Sequence, residues 1–449
     1  MTYAEVAINT AVNQTFHYAI PPSWQSRLVV GHLVRVSFGT AMQAGIVVAI
    51  HDELPPELHD VTMKPIIDVL HPEPVMVQAH IDLALWMSEA YLASPGTCLW
   101  LMLPPGIVGK STQQVFLGDA QPDDPDSLTT TQQKILEALN EEAPRSVDEL
   151  VKITDVKSVR RVIKQLEEAN LVEMTAVLNP PTATRKTVRT VMRAIPEDEV
   201  VDALASLQRA PKQTSVFAYI AKHDYPLDVS DVYEAIDATS ADLNNLERKG
   251  FVELGERIVF RDSLADRNFI PSQPLALTTA QNDVWQRIRA SLQQNYSADS
   301  ENIEKDFLLH GVTGAGKTEI YLHAIAETLA QGRQALFLVP EIALTPQTIR
   351  RVAQRFPEKV AVVHGSLSTG ERFDTWRRAR DGDISVIVGT RSALFTPLPD
   401  VGLIILDESH DHSYKQSPPI NPPYYNARDV AQKLAKLNDA TLIFGSATP

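Results

Sequence analysis

The segment Gly311–Thr318 constrains the fold of this chain more than any other. Its sequence, GVTGAGKT, follows the apolar run FLLH and precedes the helix-forming run EIYLHAIAETLA. Glycines at such a strand-to-helix turn let backbone N–H groups surround a phosphate, and the helix N-terminus favours anions. The alternative is a glycine-rich turn with a lysine by coincidence, which the flanking elements disfavour. The pattern predicts an ATP-binding loop formed by Gly311, Val312, Thr313, Gly314, Ala315, Gly316, Lys317 and Thr318.

Two adjacent carboxylates follow this loop by about ninety residues. Asp407 and Glu408 come at the end of the apolar run LIIL, and a buried strand would deliver them to the ligand crevice of an α/β sheet. Alone, such a pair often marks only a solvated strand end. Together with the phosphate loop it predicts NTP hydrolysis, in which Lys317 contacts the β- and γ-phosphates. Thr318 and Asp407 would hold Mg²⁺, and Glu408 would act as the general base.

The surroundings of these motifs, residues 275–449, alternate apolar runs with helix-forming runs. Strands buried on both faces that alternate with helices predict a parallel sheet in an α/β lobe. The net charge of −15 argues against a protein that coats nucleic acid by bulk electrostatics, so DNA contacts would come from local grooves. The single cysteine, Cys98, excludes a disulfide framework and a cysteine-rich zinc cluster, which favours a cytoplasmic protein. We expect no signal peptide and no membrane partner.

The first 110 residues are predicted to be β-rich, since short β-branched and aromatic runs alternate with Pro and Gly. One helix is predicted near residues 75–93. The acidic, proline-containing segment 118–127 is predicted to be a linker.

Residues 128–178 and 211–260 repeat one plan, three short helices followed by a β-hairpin. This plan is typical of winged-helix units, a variant of the helix-turn-helix. In one interpretation the third helix of each unit enters a DNA groove, and Lys157, Arg160, Arg161 and Lys164 favour this for the first unit. In the other, the units serve packing or protein interaction. The residues leave both open.

Several further segments resemble superfamily 2 DNA helicases, and within them the PriA family of primosomal replication-restart helicases. The segments that carry the resemblance are LTTAQ (277–281), VPEIALTPQ (339–347), VHGSLSTGER (363–372), GTRSALF (389–395), DESHD (407–411) and GSATP (445–449). The resemblance implies a RecA-like first motor lobe over residues 275–449. It also implies that Gln281 recognises adenine, that 340–347 and 390–395, including Thr390 and Arg391, contact a DNA strand, and that His410, Ser446 and Thr448 couple ATP state to DNA. The family's second glutamate in the acidic motif is Ser409 here.

The loop after the acidic pair is rich in tyrosine. Tyr414, Tyr424 and Tyr425, interleaved with Lys415 and Arg428, suit base stacking combined with phosphate contact. Alternatively, the tyrosines cap the sheet. The arginine run on the predicted helix through 371–380 is interpreted as a solvated face rather than a DNA track, because acids accompany it.

The resemblance extends to the front of the chain, where the segments TFHY (15–18), SFG (37–39) and MKP (63–65) match those that form a pocket for a DNA 3′ end. By this resemblance Phe16 would stack on the terminal base, while the Gly39 backbone and Lys64 would hold its sugar and phosphate. His17, at a position where the family usually has an acid, would line the pocket. The alternative for Phe16 is packing on a strand face.

Three functions are compatible with these observations. The first is an ATP-dependent 3′-to-5′ DNA helicase that recognises stalled or repaired forks and initiates primosome assembly. The second is a nucleotide-responsive fork-binding module without unwinding activity, and the third is a translocase such as a restriction subunit, which VPEIALTPQ and the 3′-pocket segments oppose. Expected ligands are ATP, Mg²⁺ and forked or single-stranded DNA with a 3′ end, with primosome proteins and single-stranded DNA-binding protein implied by the resemblance. A second motor lobe and the family's cysteine-rich zinc module are not in the 449 residues, so we expect little turnover from this chain alone.

Overall fold

The structure is a computed structural model that describes residues 2–39, 41–109, 111–118, 120, 128–139, 145–154, 159–178, 182–264, 269–293 and 304–448. Two compact units are present, one formed by residues 1–183 together with 263–449 and the other by 184–262. Most of the predicted linker 118–127, and Lys157, lie outside the described residues. Among the described residues, each helix is too short or too polar to cross a bilayer.

The N-terminal domain is a five-stranded antiparallel sheet with two helices, as the β-rich prediction requires. Its strands lie in the order β2-β1-β4-β3-β5. Its elements are β1 (Tyr3–Ile8), β2 (Phe16–Ala19), β3 (Leu33–Phe38), β4 (Ala41–His51), β5 (Asp68–Val69), α1 (Gln78–Ala90) and α2 (Pro95–Leu101). The predicted helix near 75–93 corresponds to α1. Gly96 allows α2 to pack closely on β1, because a Cβ there would lie 1.9 Å from the Ile8 carbonyl oxygen.

A three-helix module with a small sheet follows. Its elements are β6 (Ser111–Leu117), α3 (Thr130–Leu139), β7 (Arg145–Ser146), α4 (Val147–Thr154), α5 (Val159–Glu168) and β8 (Val172–Leu178). The second compact unit follows the same order with one additional helix, α6, after its first strand. Its elements are β9 (Lys186–Arg193), α6 (Val200–Ser206), α7 (Pro211–Ile220), β10 (Leu227–Asp228), α8 (Val229–Ile236), α9 (Ser240–Arg248) and β11 (Val252–Val259).

The predicted hairpin after the third helix is wrong in both modules. The strand that follows the third helix pairs with a strand that precedes the first helix, β8 with β6 and β11 with β9. The partner strand comes from a segment of alternating apolar and polar residues upstream of the helices in each module. The predicted units began at residues 128 and 211 and therefore did not include this strand. The assignment of these modules as winged helices stays a prediction.

The last part of the chain forms a parallel six-stranded sheet in the order β12-β17-β16-β13-β15-β14, which confirms the predicted α/β lobe. Its elements are α10 (Thr279–Gln293), β12 (Asp306–His310), α11 (Lys317–Ala330), β13 (Gln334–Leu338), α12 (Pro346–Arg355), β14 (Val360–Val363), α13 (Thr369–Arg380), β15 (Val386–Gly389), β16 (Val401–Leu406), α14 (Ala427–Leu437) and β17 (Thr441–Ser446). Residues of β13 and β16 are buried throughout, as strands covered on both faces must be.

The N-terminal domain and the parallel-sheet lobe share one hydrophobic core. Buried side chains of α1 and α2, such as Ile81 and Leu99, belong to the same cluster as Leu394 and Leu434 of the lobe. Polar contacts accompany this core, since the hydroxyl of Tyr91 donates to Asp429 at 3.3 Å. The two parts are therefore packed together within one compact unit.

Candidate functional site

The predicted phosphate loop lies between β12 and α11, where the sequence placed it. Gly314 and Gly316 have φ angles of +84° and +83°, a left-handed conformation that side chains with a Cβ rarely adopt. The N–H of Gly311 donates to the carbonyl of Ser446 at 3.1 Å, which ties the loop to the end of β17. Successive backbone N–H groups thus lead into the N-terminus of α11, an arrangement suited to phosphate.

Gln281 lies directly on this loop. Its side-chain amide donates to the carbonyl of Ala315 at 2.9 Å, and its Oε1 accepts from the N–H of Thr278. A Cβ on Gly316 would lie 2.3 Å from Gln281 Nε2, so glycine is needed for this approach. Gln281 and the phosphate loop therefore form one assembly.

The acidic pair comes within reach of the loop. Lys317, 8% exposed, donates from Nζ to the carbonyl of Gly311 at 2.8 Å and lies 3.8 Å from Glu408 Oε1. Asp407 follows β16 and accepts a hydrogen bond from the hydroxyl of Tyr321 at 3.0 Å. The strand order of the parallel sheet brings these residues together, because β16 and β12 flank β17.

The charge on Asp407 is sensitive to its surroundings. Burial raises the pKa of this carboxyl and the neighbouring Glu408 adds to the effect, while the hydroxyl of Tyr321 and the ammonium of Lys317 oppose it. A divalent cation at Asp407 would favour the ionised form strongly. The surroundings of Asp407 therefore lack positive charge, which a bound divalent cation would supply.

A cavity of about 260 Å³ adjoins Thr318 and Asp407 and is also lined by Gln347 and Arg351 of α12. A hydroxyl and a carboxylate that face one cavity are the hard oxygen donors that Mg²⁺ prefers, so the residues present fit this ion. Sequence analysis missed Arg351 and Tyr321. The position of Tyr321, four residues after Lys317 on the same helix face, was the available signal.

The predicted coupling residues are hydrogen-bonded to one another. The Nδ1 atom of His410 lies 2.9 Å from Ser446 Oγ, which also accepts from the N–H of Thr448 at 3.0 Å. The same His410 Nδ1 lies 3.7 Å from Glu408. The segment after β17 is thus connected through side chains to the acidic pair, and through Ser446 to the phosphate loop.

The stacking prediction is wrong for two of the three tyrosines. Tyr414 and Tyr425 are each 1% exposed, and the hydroxyl of Tyr414 donates to the carbonyls of Leu338 and Asp407. They cap the sheet because their rings fill the space beside β13 and the 3-10 helix Arg391–Phe395. Tyr424, 39% exposed, remains available.

The predicted strand-contact residues are only partly accessible. Thr390 is 6% exposed, and Arg391 donates from its guanidinium to the carbonyl of Ser413 at 2.8 Å. Lys415 donates to the carbonyl of Tyr424 and lies over the Tyr91 ring, 5.7 Å from its centroid.

The interpretation of the arginine run as a solvated face is also wrong. Arg377 is 4% exposed and paired with Asp374 at 3.2 Å. The guanidinium of Arg380 lies 2.6 Å from Glu73 of the N-terminal domain. Arg380 therefore links the lobe to the N-terminal domain, whereas Arg377 is paired within α13.

A second cavity, of about 440 Å³, lies in the N-terminal domain and is lined by the predicted 3′-end residues Phe16, Gly39 and Lys64. Phe16 packs edge-on against Phe38, with ring centroids 4.9 Å apart. Lys64 Nζ donates to the carbonyl of Gly39 at 3.2 Å and to Ser37 Oγ at 3.3 Å. An aromatic ring and an exposed ammonium thus share one concave surface.

His17 is also among the residues that line this cavity. Successive side chains of a strand point to opposite faces, and the ring of His17 lies beside His51 with centroids 5.7 Å apart. His17 thus lies at the cavity, as predicted, while its ring also contacts His51; its contact with a DNA 3′ end stays a prediction.

Comparisons with known proteins agree with this division of the chain. A model of the 3′DNA-binding domain matches residues 5–104, and a model of the type III restriction enzyme res subunit matches residues 274–449. The chain is 32% identical to the replication restart protein PriA of Bacillus subtilis (strain 168) and 34% identical to that of Synechocystis sp.. Both alignments cover 100% of this chain and 53% and 52% of the relatives.

Among solved structures, RecG bound to a three-way DNA junction aligns with 39% of this chain and 22% of its own, at 26% identity and a TM-score of 0.29, too low to support an argument. The chain spans about half the length of the curated relatives it matches. The alignments to those relatives run through the sheet domain, the three-helix modules and the nucleotide lobe alike. Over its whole length the chain is therefore similar in sequence to about half of the replication restart protein PriA.

Proposed function

We propose that the chain is the fork-recognising and ATP-binding part of a 3′-to-5′ DNA helicase that restarts replication. The observation that carries this proposal is the convergence of Lys317, Thr318, Asp407 and Glu408 on one phosphate loop with an adjoining cavity. Such a combination of a phosphate loop, two hard-oxygen donors and a second carboxylate is what NTP hydrolysis requires. Because this role requires access to chromosomal forks, we also propose that the protein is cytoplasmic.

In this mechanism the backbone of Gly311–Thr318 and the ammonium of Lys317 hold the β- and γ-phosphates, and Gln281 contacts adenine. Thr318 and Asp407 would hold Mg²⁺, which when bound supplies positive charge to the phosphate oxygens. Glu408 accepts the proton of the attacking water as general base. Its backbone φ of +44° turns the residue away from the strand direction at the end of β16.

Coupling to DNA passes through the hydrogen-bonded group of His410, Ser446 and Thr448. Because Ser446 accepts from Gly311 and contacts His410, a change at the phosphates reaches the end of β17 within two hydrogen bonds. Thr390, Arg391 and the exposed Tyr424 then contact the strand after modest rearrangement of their present partners.

The N-terminal cavity takes the 3′ end of a DNA strand. Phe16 stacks on the terminal base, and Lys64 contacts phosphate, since its ammonium is exposed and its two hydrogen-bond acceptors among the described residues are neutral. Forked DNA is the substrate, and primosome proteins and single-stranded DNA-binding protein are the partners.

The nucleotide site is tested by titrating the chain with ATP and Mg²⁺ in a calorimeter. Wild type should give saturable heat, and Lys317→Ala should lose most of it, because a buried charge-assisted contact to phosphate is removed. Lys305→Ala is the matched control, since Lys305 pairs with Asp439 away from the loop. Absence of saturable heat in wild type would refute the nucleotide site.

The DNA site is tested with forks that carry a free or a blocked 3′-hydroxyl. Phe16→Ala should lower affinity for the free 3′ end by about 1–3 kcal/mol, the contribution of one base–aromatic stack. Equal affinity of both proteins for both forks would refute the pocket. For this chain joined to a second motor lobe, fork binding without DNA-stimulated hydrolysis would instead support a nucleotide-responsive binding module.

A further inference from the structure

A cluster of metal-ligating side chains lies on the sheet face opposite Phe16. Glu5 of β1, His17 of β2 and His51 of β4 each direct one donor atom to a common point, and these atoms lie within 4.8 Å of one another. The strand register explains the cluster, since Glu5 is directly opposite His17 in the antiparallel pair. All three side chains are partly exposed, so an ion could enter from solvent.

The donor distances suit a small tetrahedral ion. Zinc binds imidazole nitrogen and carboxylate oxygen at about 2.0–2.2 Å, so two ligand atoms in a tetrahedral site are about 3.3–3.6 Å apart. Glu5 Oε2 and His51 Nε2 are 3.1 Å apart, and the donor atom of His17 lies within 4.8 Å of the other two donors. We propose that Glu5, His17 and His51 form a site for a divalent transition-metal ion of the zinc type.

The carboxylate of Glu5 is already oriented as a ligand. Its second oxygen, Oε1, accepts a hydrogen bond from the hydroxyl of Thr15, which leaves Oε2 directed towards His51. Burial raises the pKa of Glu5, but hydrogen bonds from Thr15 and His51 outweigh this and hold it below its ordinary value. Such outer partners fix ligating groups in metal sites. Three protein ligands leave the fourth position open to water.

Two imidazoles and one carboxylate indicate the class of ion. Neutral imidazole suits Zn²⁺, Co²⁺ and related ions, whereas Mg²⁺ and Ca²⁺ prefer sites made of oxygen. The site is thus chemically distinct from the oxygen donors Thr318 and Asp407 at the phosphate loop.

Metal binding would fasten an edge strand. β2 is at one end of the strand order, where it pairs with β1 and forms a single bridge from Ala19 to Pro65, while β4 lies on the other side of β1. An ion held by β2, β1 and β4 would link three strands and restrict the strand that carries Phe16. Slower hydrogen exchange of the Phe16–Ala19 amides on addition of Zn²⁺ is the expected consequence.

The experiment uses the metal-stripped 449-residue chain with Zn²⁺ or Co²⁺ as the probe. Wild type should bind one equivalent of Zn²⁺ in competition with a chromophoric chelator, and Co²⁺ should give the intense visible bands of four-coordinate cobalt. His51→Gln and Glu5→Gln should abolish both signals. His59→Gln, an identical change at an exposed histidine of the same domain, should leave them unchanged.

Thr15→Val provides a second, milder variant that keeps all three ligands. Loss of its hydrogen bond to Glu5 should weaken Zn²⁺ affinity by about 10–100-fold, as for other outer-partner changes. Circular dichroism and thermal unfolding midpoints without metal show whether each variant is folded. If a ligand variant does not fold, the test uses Thr15→Val instead. Octahedral cobalt spectra, no stoichiometric binding, or equal binding by wild type and folded His51→Gln would overturn the site.

Discussion

His80 tests how the N-terminal domain is joined to the parallel-sheet lobe. It lies on α1, is 2% exposed, and faces the backbone of Leu394 in the lobe. Burial lowers the pKa of His80 from 6.5 to about 4, and the nearby Leu394 backbone offsets this only in part. The folded protein therefore requires the neutral imidazole at this contact.

The sign and size of the effect follow from this pKa. Above pH 6.5 the ring is neutral in the folded and unfolded chain alike, so His80 adds no pH dependence there. Below pH 6.5 the unfolded chain takes up a proton that the folded chain refuses down to about pH 4. The free energy of unfolding should therefore fall by about 2 kcal/mol at pH 5 and about 3 kcal/mol at pH 4.

The assay is urea unfolding followed by tryptophan fluorescence at about pH 7.5 and pH 5 for wild type and His80→Leu, a neutral side chain of similar size. Wild type should lose about 2 kcal/mol more than the variant between the two pH values. His59→Leu, a change at an exposed histidine, is the control and should follow wild type. A pH dependence unaltered in His80→Leu would refute the buried neutral imidazole.

Two further predictions concern tyrosines of the lobe. Tyr321→Phe removes a hydrogen bond to a charged acceptor that contributes about 1.5–3 kcal/mol, so the pKa of Asp407 should rise further and the acid limb of ATP–Mg²⁺ binding should move to higher pH. Tyr414→Phe, which loses bonds to backbone carbonyls only, should shift the limb less; equal shifts would contradict the assignment. Tyr425→Ala should cost about 3–5 kcal/mol of stability in thermal unfolding, whereas Tyr424→Ala should leave stability unchanged and weaken single-strand binding. The opposite pattern would show that the buried ring, not the exposed one, meets DNA.

Much of the nucleotide lobe could be predicted from the sequence because its signals are local or topological. Apolar runs alternating with helices require a parallel sheet, and in such a sheet the carboxyl ends of strands meet at one edge. The closeness of Glu408 to Lys317 follows from that rule, although about ninety residues separate them. The hydrogen bonds between His410, Ser446 and Thr448 could not be derived from the residues and were implied only by the family resemblance.

Contacts that depend on side-chain direction could not be predicted. The sequence shows three tyrosines after the acidic pair, but only packing decides that Tyr414 and Tyr425 turn inwards. Strand pairing over a distance was missed for the same reason, since β6 and β8 are separated by the whole helix trio. The contact between His17 and His51 depends on how β2, β1 and β4 are aligned with one another. Sequence periodicity predicts which side chains share a face of each strand, but it does not predict the register between strands.

The shared core gives the two cavities a fixed relation within their compact unit. If the N-terminal domain were joined to the lobe by a flexible linker, a bound 3′ end would have no defined place relative to the phosphate loop. Instead, Tyr91 accepts from the N–H of Asn426 and donates to Asp429, and Arg380 is paired with Glu73. These contacts involve α13 and the segment that follows the acidic pair, which is also the part of the lobe connected to the ATP site. If the cavity holds a DNA end and the lobe binds nucleotide as proposed, these contacts would fix the position of the DNA end relative to the phosphate loop.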